Sequence, residues 1–276
     1  MGKEYMPGAK VSFGWAATMA CLLLANMLAA PIARADEADD LAKKTQNPVA
    51  DLISVPIQGN FQWGGGRSDK GFATTTNIQP VIPIGITDDW NLIIRTILPV
   101  SSRLHYAPNG VAGIGDTTQS FFLSPKQPTN GIIWGAGPVF LWPTASHDIL
   151  GSGKWGAGPT GVALIQQGPW TVGALANHIW SYAGPLGRDT VSATFLQPFI
   201  AYNLGQGVSI AVNTESTYDW THGQWTVPIN TTISKVFTIG GQAMSAAVGA
   251  TYFAARPDGA PRWGIRTSLT FLFPTR

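Results

Sequence analysis

Short segments that alternate apolar and polar residues fill most of the chain after about residue 54. In the first of them the apolar positions are Val55, Ile57, Phe61 and Trp63, with Gln58, Asn60 and Gln62 between them. A period of two places the apolar side chains on one face of a strand and the polar ones on the other. Segments 208–220 and 262–273 repeat the pattern, which predicts an all-β fold.

Twelve such segments are present, and they predict twelve antiparallel strands. Their bounds are 54–64, 74–84, 89–100, 113–124, 131–143, 153–166, 169–181, 191–203, 207–220, 224–236, 243–254 and 262–273. An even number of antiparallel strands can close into a barrel that leaves no unpaired edge. Most connections alternate between compact turns, such as 86–89, and longer loops, such as 101–112. We therefore expect short turns and both termini in the periplasm; the short connection at 221–223 departs from this rule.

The tryptophans lie near the ends of these segments. One predicted membrane-interface belt is Trp63, Trp142, Trp155, Trp180, Trp220, Trp225 and Trp263, and the other is Trp90, Trp134 and Trp170. Indole side chains favour the two interfaces of a membrane. The pattern predicts a transmembrane antiparallel β-barrel of the bacterial outer-membrane type, with outer-membrane lipid as a partner. A secreted β-sandwich is the competing architecture, but it gives no reason for two aromatic belts.

Prolines are the main conflict with this fold, because proline cannot donate a hydrogen bond to a β-ladder. Eight fall within or near the proposed strands: Pro56, Pro80, Pro83, Pro99, Pro138, Pro159, Pro198 and Pro228. We expect them at strand ends or bulges; the alternative is that the predicted register and strand count are partly wrong.

Residues 1–35 have the features of a signal peptide. Lys3 and Lys10 precede an apolar stretch at 13–32, and Ala33-Arg34-Ala35 then forms a small-x-small cleavage pattern. A retained membrane anchor is the alternative interpretation of this segment. Cleavage after Ala35 would leave a mature chain without cysteine and with equal numbers of acidic and basic residues. That balance argues against nucleic-acid binding, and export predicts the outer membrane of a Gram-negative bacterium.

Residues 36–53 differ from the barrel region 54–276. Four acidic residues, Asp36, Glu37, Asp39 and Asp40, precede Lys43 and Lys44, and a small apolar patch follows. The segment is consistent with a periplasmic helix; a disordered leader and a plug folded into the lumen are the alternatives.

Four longer runs resemble a known family. They are NIQPVIPIGITDDWNLIIRTILPV (77–100), GSGKWGAGPTGVAL (151–164), WTVGALANHIWS (170–181) and TESTYDWTHGQWTVPIN (214–230). These runs resemble the outer-membrane family labelled for the meta-pathway of phenol degradation, over about residues 50–273. The resemblance implies an envelope transporter, with small aromatic or hydrophobic permeants suggested by association. It implies no particular functional residues.

The inward face carries the candidate functional residues, because the apolar partners face lipid. The candidates for the lumen or a constriction are Asn91, Arg95, Asn213, Glu215, Asp219, Asn230 and Arg266. Charges inside a membrane must be paired or wet. Arg95, Glu215 and Arg266 either select permeants at a constriction or form a salt-bridged interior without conduction. The first interpretation predicts passive uptake of small molecules without a cofactor. The second predicts a closed structural or surface-binding barrel.

Enzymatic and metal-dependent functions have weaker support. Alternation places His178 on the lipid face, but Asn177 and Ser181 then point inward, and no serine partner is identifiable in the sequence. The loop residues His105, His147 and His222 lack ligand neighbours at metal-binding spacing.

Residues 156–161 fit G-x-G-x-x-G, but strand-like sequence follows where a dinucleotide site needs a helix. We therefore expect Gly135, Gly137, Gly156 and Gly158 to relieve crowding instead.

Overall fold

The computed structural model describes residues 35–66, 68–104 and 110–274. Helix α1 spans Ala35–Thr45. The strands are β1 Leu52–Gly65, β2 Gly71–Ile78, β3 Val81–Gly85, β4 Trp90–Leu104, β5 Val111–Ile114, β6 Thr117–Pro125, β7 Ile133–Trp142, β8 Trp155–Gln167, β9 Trp170–Ala183, β10 Ser192–Gly205, β11 Val208–Thr214, β12 Ser216–Asp219, β13 Gln224–Ile239, β14 Gln242–Ala255 and β15 Trp263–Pro274. The predicted signal peptide lies outside the described residues except for Ala35. No helix in the described ranges is long and apolar enough to cross a membrane.

The strands form one closed antiparallel sheet. Its closing seam joins β1 to β15, from Leu52 paired with Pro274 to Trp63 paired with Trp263. Short breaks divide three long strands into β2 and β3, β5 and β6, and β11 and β12. The fifteen segments therefore form a barrel of twelve full-length strands, each of which is called a stave below. This confirms the predicted fold and strand count.

Two prolines follow the expectation and six do not. Pro80 lies in the break between β2 and β3, and Pro228 lies at a bulge. The expectation was wrong for the other six, which lie inside strands: Pro56, Pro83, Pro99, Pro138, Pro159 and Pro198.

The sheet accommodates interior prolines by local interruption of the ladder. The carbonyls of Pro56 and Pro99 accept hydrogen bonds from Gln79 and Gly115, which lie at two of the strand breaks. Pro138 pairs with Pro159 on the next strand. On its other side β7 pairs with β6, and β8 pairs with β9; neither of these two ladders includes the proline. At these four prolines the ladder on one side is interrupted, which is where a residue without an N–H donor is tolerated.

Side chains alternate between the two faces of the barrel as the sequence predicted. The outward residues Ile57, Ile265 and Trp263 are 39%, 40% and 49% exposed. The inward Ser209 and Asn230 are buried. A broad apolar outer surface with buried polar groups inside is the reverse of a soluble protein.

The barrel has two distinct ends. The proximal end carries the start of β1 and the end of β15, and the distal end carries the connections from β1 to β2 and from β9 to β10. Strand direction places Trp90, Trp134 and Trp170 at the proximal end, and Trp63, Trp142, Trp155, Trp180, Trp220, Trp225 and Trp263 at the distal end. The Trp63 and Trp263 rings stack with centroids 4.7 Å apart, and Trp90 contacts Trp134 edge-on at 5.9 Å.

Glycines allow close approach of backbones in β7 and β8. A Cβ on Gly137 would collide with the carbonyl of Phe121, and one on Gly158 with the carbonyl of His178. The G-x-G-x-x-G run lies within β8 and is followed by β9. These glycines therefore serve packing between strands, as the sequence predicted.

Helix α1 lies in the proximal mouth of the barrel. Its Ala38, Leu41 and Ala42 are buried in a cluster with Leu52, Val236 and Leu272 of the barrel wall. Asp39 Oδ1 accepts a 2.6 Å hydrogen bond from the Gly207 amide, and the Lys43 carbonyl accepts a 2.9 Å bond from Gln166 Nε2. Acidic residues in its first turn and lysines in its last complement the helix dipole.

Candidate functional site

The lumen has one apolar wall. Ile93 of β4, Phe122 of β6 and Leu175 of β9 are buried there with Val162 and Leu164 of β8. Val49, in the segment between α1 and β1, packs onto this cluster. The segment after the helix therefore covers apolar lumen surface near the proximal end.

The facing wall carries an ion pair at its centre. Arg266 of β15 donates from Nη1 and Nη2 to the two carboxylate oxygens of Glu215, each at 2.8 Å. Its Nε donates to Asn60 Oδ1 at 2.8 Å. Glu215 lies in the break between β11 and β12, three staves from β15 around the barrel. The interruption lets the carboxylate reach inward across the intervening strands.

A hydrogen-bonded chain of neutral side chains continues this wall. Asn230 Nδ2 donates to Asn213 Oδ1 at 2.8 Å, and Thr251 Oγ1 donates to Asn230 Oδ1 at 2.7 Å. These residues lie on three adjacent strands, β11, β13 and β14. Satisfied buried polar groups hold the wall in one arrangement.

Between α1 and this polar wall lies a cavity of about 280 Å³. Arg95 of β4 lines it and donates from Nη2 to Gln79 Oε1 at 3.1 Å. Asn213, Gln197 and Phe199 also line it. Arg95 lies close enough to Glu215 for an electrostatic interaction.

The structure thus brings five of the seven predicted lumen residues into one region: Arg95, Asn213, Glu215, Asn230 and Arg266. Asn91 is buried at the proximal start of β4, four residues before Arg95.

Asp219 does not join this region, because it lies at the distal end of β12 and its Oδ2 is 2.7 Å from His222 Nδ1. Strand alternation shows which face of the sheet a residue lies on but not its position along the barrel axis. It therefore could not separate Asp219 from Glu215.

Asn60, Thr251 and Gln79 belong to the site but were not singled out from sequence. Asn60 lay on the inward face of the first predicted strand, so its signal was available. Gln79 lies beside the β2–β3 break. The ladder interruption there removes the regular alternation that would have predicted its orientation.

His178 faces outward, as predicted, and it does have a serine neighbour. Its Nε2 is 3.4 Å from Ser192 Oγ and its Nδ1 is 2.7 Å from Thr194 Oγ1, both on β10. The sequence did not identify this serine partner, because Ser192 lies on the adjacent strand β10, 14 residues away in sequence. Trp220 Nε1 also donates to Thr194 Oγ1, which fixes this group within the distal aromatic belt.

A second histidine connects two distal loops. His222 Nε2 is 3.6 Å from Asp189 of the β9–β10 loop, and its Nδ1 contacts Asp219. Thr221 Oγ1 donates to the Thr190 carbonyl at 2.9 Å. The short connection at 221–223, which departed from the loop-length rule, is thus attached to the longer loop beside it. His105 lies outside the described residues.

Two solved structures with TM-scores above 0.5 support the fold. An outer membrane channel from Pseudomonas putida F1 aligns with a TM-score of 0.63 and 18% identity, over 80% of this chain and 94% of that chain. The NanC porin aligns with a TM-score of 0.51 and 10% identity, over 79% and 98%. The Escherichia coli outer membrane phospholipase A gives a TM-score of 0.43 and 12% identity, over 86% and 98%. No protein-family model matches the chain, and no curated protein does. The fold is that of a twelve-stranded outer-membrane β-barrel.

Proposed function

We propose that this protein is an outer-membrane channel for passive passage of small molecules. The observation that carries the proposal is the composition of the lumen: a cavity of about 280 Å³ bordered by Arg95 lies next to the Glu215–Arg266 pair. Charged side chains inside a membrane protein mark hydrated or functional paths. A barrel with a purely structural role could fill its interior with apolar side chains alone.

In this proposal the proximal end faces the periplasm and the distal loops face outward. Helix α1 then sits in the periplasmic mouth, held by the contact of Asp39 with the β10–β11 turn and by that of Lys43 with the end of β8. A permeant would pass the Glu215–Arg266 constriction, enter the cavity and leave beside α1. Diffusion down a gradient needs no cofactor.

Two unlike walls of the lumen support a class of permeant. The apolar cluster around Phe122 and Leu175 suits a hydrophobic body, and the polar wall suits a hydrogen-bonding group. Membership of the phenol-degradation family would agree with small aromatic compounds. The similar P. putida protein is described as an outer membrane channel, which is consistent with transport.

Liposome swelling tests the proposal. Refolded mature protein, checked by a heat-modifiable gel shift, is incorporated into liposomes and challenged with sugars, amino acids and small aromatic compounds. We expect solute-dependent swelling. Absence of swelling with every solute, also after deletion of residues 36–53, would instead support the closed structural barrel.

A lipid-facing hydrolase is the alternative that one observation favours, because Ser192 Oγ lies 3.4 Å from His178 Nε2. We propose a non-enzymatic role, since Thr194 rather than a carboxylate or amide contacts the other ring nitrogen. Assay of phospholipid and ester hydrolysis decides between the two. Hydrolysis that is abolished in Ser192→Ala would establish the enzyme; equal background rates in both proteins would support the channel.

A further inference from the structure

Arg95 is a cation of the lumen, and no carboxylate of the described residues forms an ion pair with it. Its one hydrogen-bond partner among the described residues is Gln79, whose side-chain oxygen accepts from Nη2. None of the carboxylates in those ranges lies within ion-pair distance of it. A guanidinium carries five N–H donors. Arg95 therefore has donors left for a ligand in the cavity that it lines.

The nearest carboxylate is already engaged. Both oxygens of Glu215 accept from Arg266, and that geometry is bidentate. The interaction between Glu215 and Arg95 is therefore one at longer range. Arg95, Glu215 and Arg266 together carry one net positive charge, and this excess lies beside the cavity.

The cavity around Arg95 has amphipathic walls. Phe199 and Val81 line it and also pack against the apolar cluster of Ile93 and Leu175. Gln197 and Ser234 contribute polar groups to the same cavity. Ligand sites commonly combine mostly apolar walls with a few polar groups that fix orientation.

We infer that this cavity binds a small organic monocarboxylate, with the carboxylate on Arg95 and an aromatic or aliphatic body against Phe199 and Val81. This inference rests on the proposed channel function and names the permeant class. A planar guanidinium matches a carboxylate in two parallel hydrogen bonds. One uncompensated charge suits a monoanion better than a dianion. The apolar part of the wall favours an organic anion over a strongly hydrated inorganic one, and the positive charge disfavours an organic cation.

The binding test uses benzoate, benzyl alcohol and benzylamine as anionic, neutral and cationic probes of similar size. Calorimetric titration into refolded full-length mature protein in detergent gives the affinities. We expect benzoate to bind at least about tenfold more tightly than the other two, because a charge-assisted pair is worth more than a neutral hydrogen bond. Equal affinities of the wild-type protein for benzoate and benzyl alcohol would overturn the inference, and no variant is needed for that result.

Arg95→Gln and Arg262→Gln form a matched pair of variants. Arg262 pairs with Asp69 at the distal rim, so its loss removes the same charge away from the cavity. We expect Arg95→Gln to lose the benzoate preference and Arg262→Gln to keep it. If Arg95→Gln does not refold, Arg95→Lys replaces it and should retain the preference for an anion with weaker binding. Unchanged benzoate affinity in Arg95→Gln would overturn the assignment of this site.

Liposome swelling with the same three probes separates this inference from the channel proposal. Swelling that shows no benzoate preference, together with equal binding, would leave the channel standing and remove the carboxylate site. Benzoate binding that depends on Arg95, without swelling by any solute, would leave the site and remove the channel. Swelling fastest with benzoate and slowed by Arg95→Gln supports both.

Discussion

Arg266 holds Glu215 by two parallel hydrogen bonds, each 2.8 Å long, across the interior of the barrel. The Arg266 side chain is 9% exposed and the Glu215 side chain is 28% exposed. Asn60 Oδ1 accepts a hydrogen bond from Nε–H of Arg266, so the guanidinium is fixed on two sides. In the proposed channel, a rigid pair of this kind would set both the width and the charge of the path beside it.

Replacing Glu215 by Gln removes the negative charge of this pair. Arg95 and Arg266 would then be opposed by no carboxylate in the group, so we expect a shift of ion selectivity towards anions. Reversal potentials in a KCl gradient across a planar bilayer measure the shift.

Asp88→Asn is the control for this change. Asp88 is exposed in the proximal turn between β3 and β4, outside the polar wall. A reversal potential that moves equally in both variants, or in neither, would remove Glu215 from the selectivity mechanism.

The attachment of α1 in the proximal mouth of the barrel depends on Asp39 rather than on Asp40. Asp39 accepts from the Gly207 amide, whereas Asp40 is exposed and pairs with Lys44 of the same helix. We expect Asp39→Ala to loosen α1 and raise channel conductance, and Asp40→Ala to leave conductance unchanged. Limited proteolysis of α1 in the same samples checks the loosening; equal cleavage and conductance in the two variants would contradict the role given to Asp39.

The sequence was consistent with helix α1 itself but did not determine its position in the barrel. The charge pattern of 36–53 was consistent with a helix, and strand alternation predicted twelve staves and the outward face. The position of α1 in the mouth depends on contacts such as Gly207 with Asp39, which are 168 residues apart. No local pattern encodes such a pairing.

The arrangement of the lumen was predictable only in part, because it too depends on contacts between residues that are far apart in sequence. Alternation identified Glu215 and Arg266 as inward, but it could not show that they form one pair. Height along the barrel depends on the stagger between strands, which the periodicity of single strands does not contain. The same limit placed Asp219 with the constriction, although it bonds to His222 in a distal loop.

His222 should titrate at a higher pH than an ordinary histidine. The hydrogen bond with Asp219, followed by the charges of Asp219 and Asp189, raises the pKa of His222 above 6.5. A raised pKa means that this loop contact is fully present below the unfolded-state pKa and is lost as pH rises through the folded-state pKa.

Titration by NMR, with His222 ring protons as the reporter, measures that shift. We expect the pKa of His222 to fall towards 6.5 in Asp219→Asn, because the largest contribution is removed. Amide exchange in 220–223 should rise above the midpoint after correction for the intrinsic pH dependence. A His222 pKa that is the same in both proteins would contradict the proposed contact.

Gly158 and Gly161 of β8 give a test of the sheet packing. A methyl group on Gly158 would collide with the His178 carbonyl, whereas Gly161 has only the Gly135 carbonyl nearby, at 3.8 Å. We expect Gly158→Ala to lower the free energy of unfolding by about 1–3 kcal/mol, as for other overpacked sites. Gly161→Ala should change it much less. Urea unfolding in lipid vesicles measures both, and equal midpoints would contradict the close approach of β8 and β9.

The central claim is that solutes cross through the lumen, and a pair of single-cysteine variants tests it most directly. The predicted mature chain has no cysteine. Ser234 lines the cavity, and the adjacent Ile233 faces outward at 42% exposure. Ser234→Cys and Ile233→Cys are recorded in planar bilayers before and after a bulky methanethiosulfonate reagent is added. We predict that the reagent reduces the conductance of Ser234→Cys and leaves that of Ile233→Cys unchanged. Steady conductance in a fully labelled Ser234→Cys protein, or no conductance in any protein, would contradict passage through the lumen.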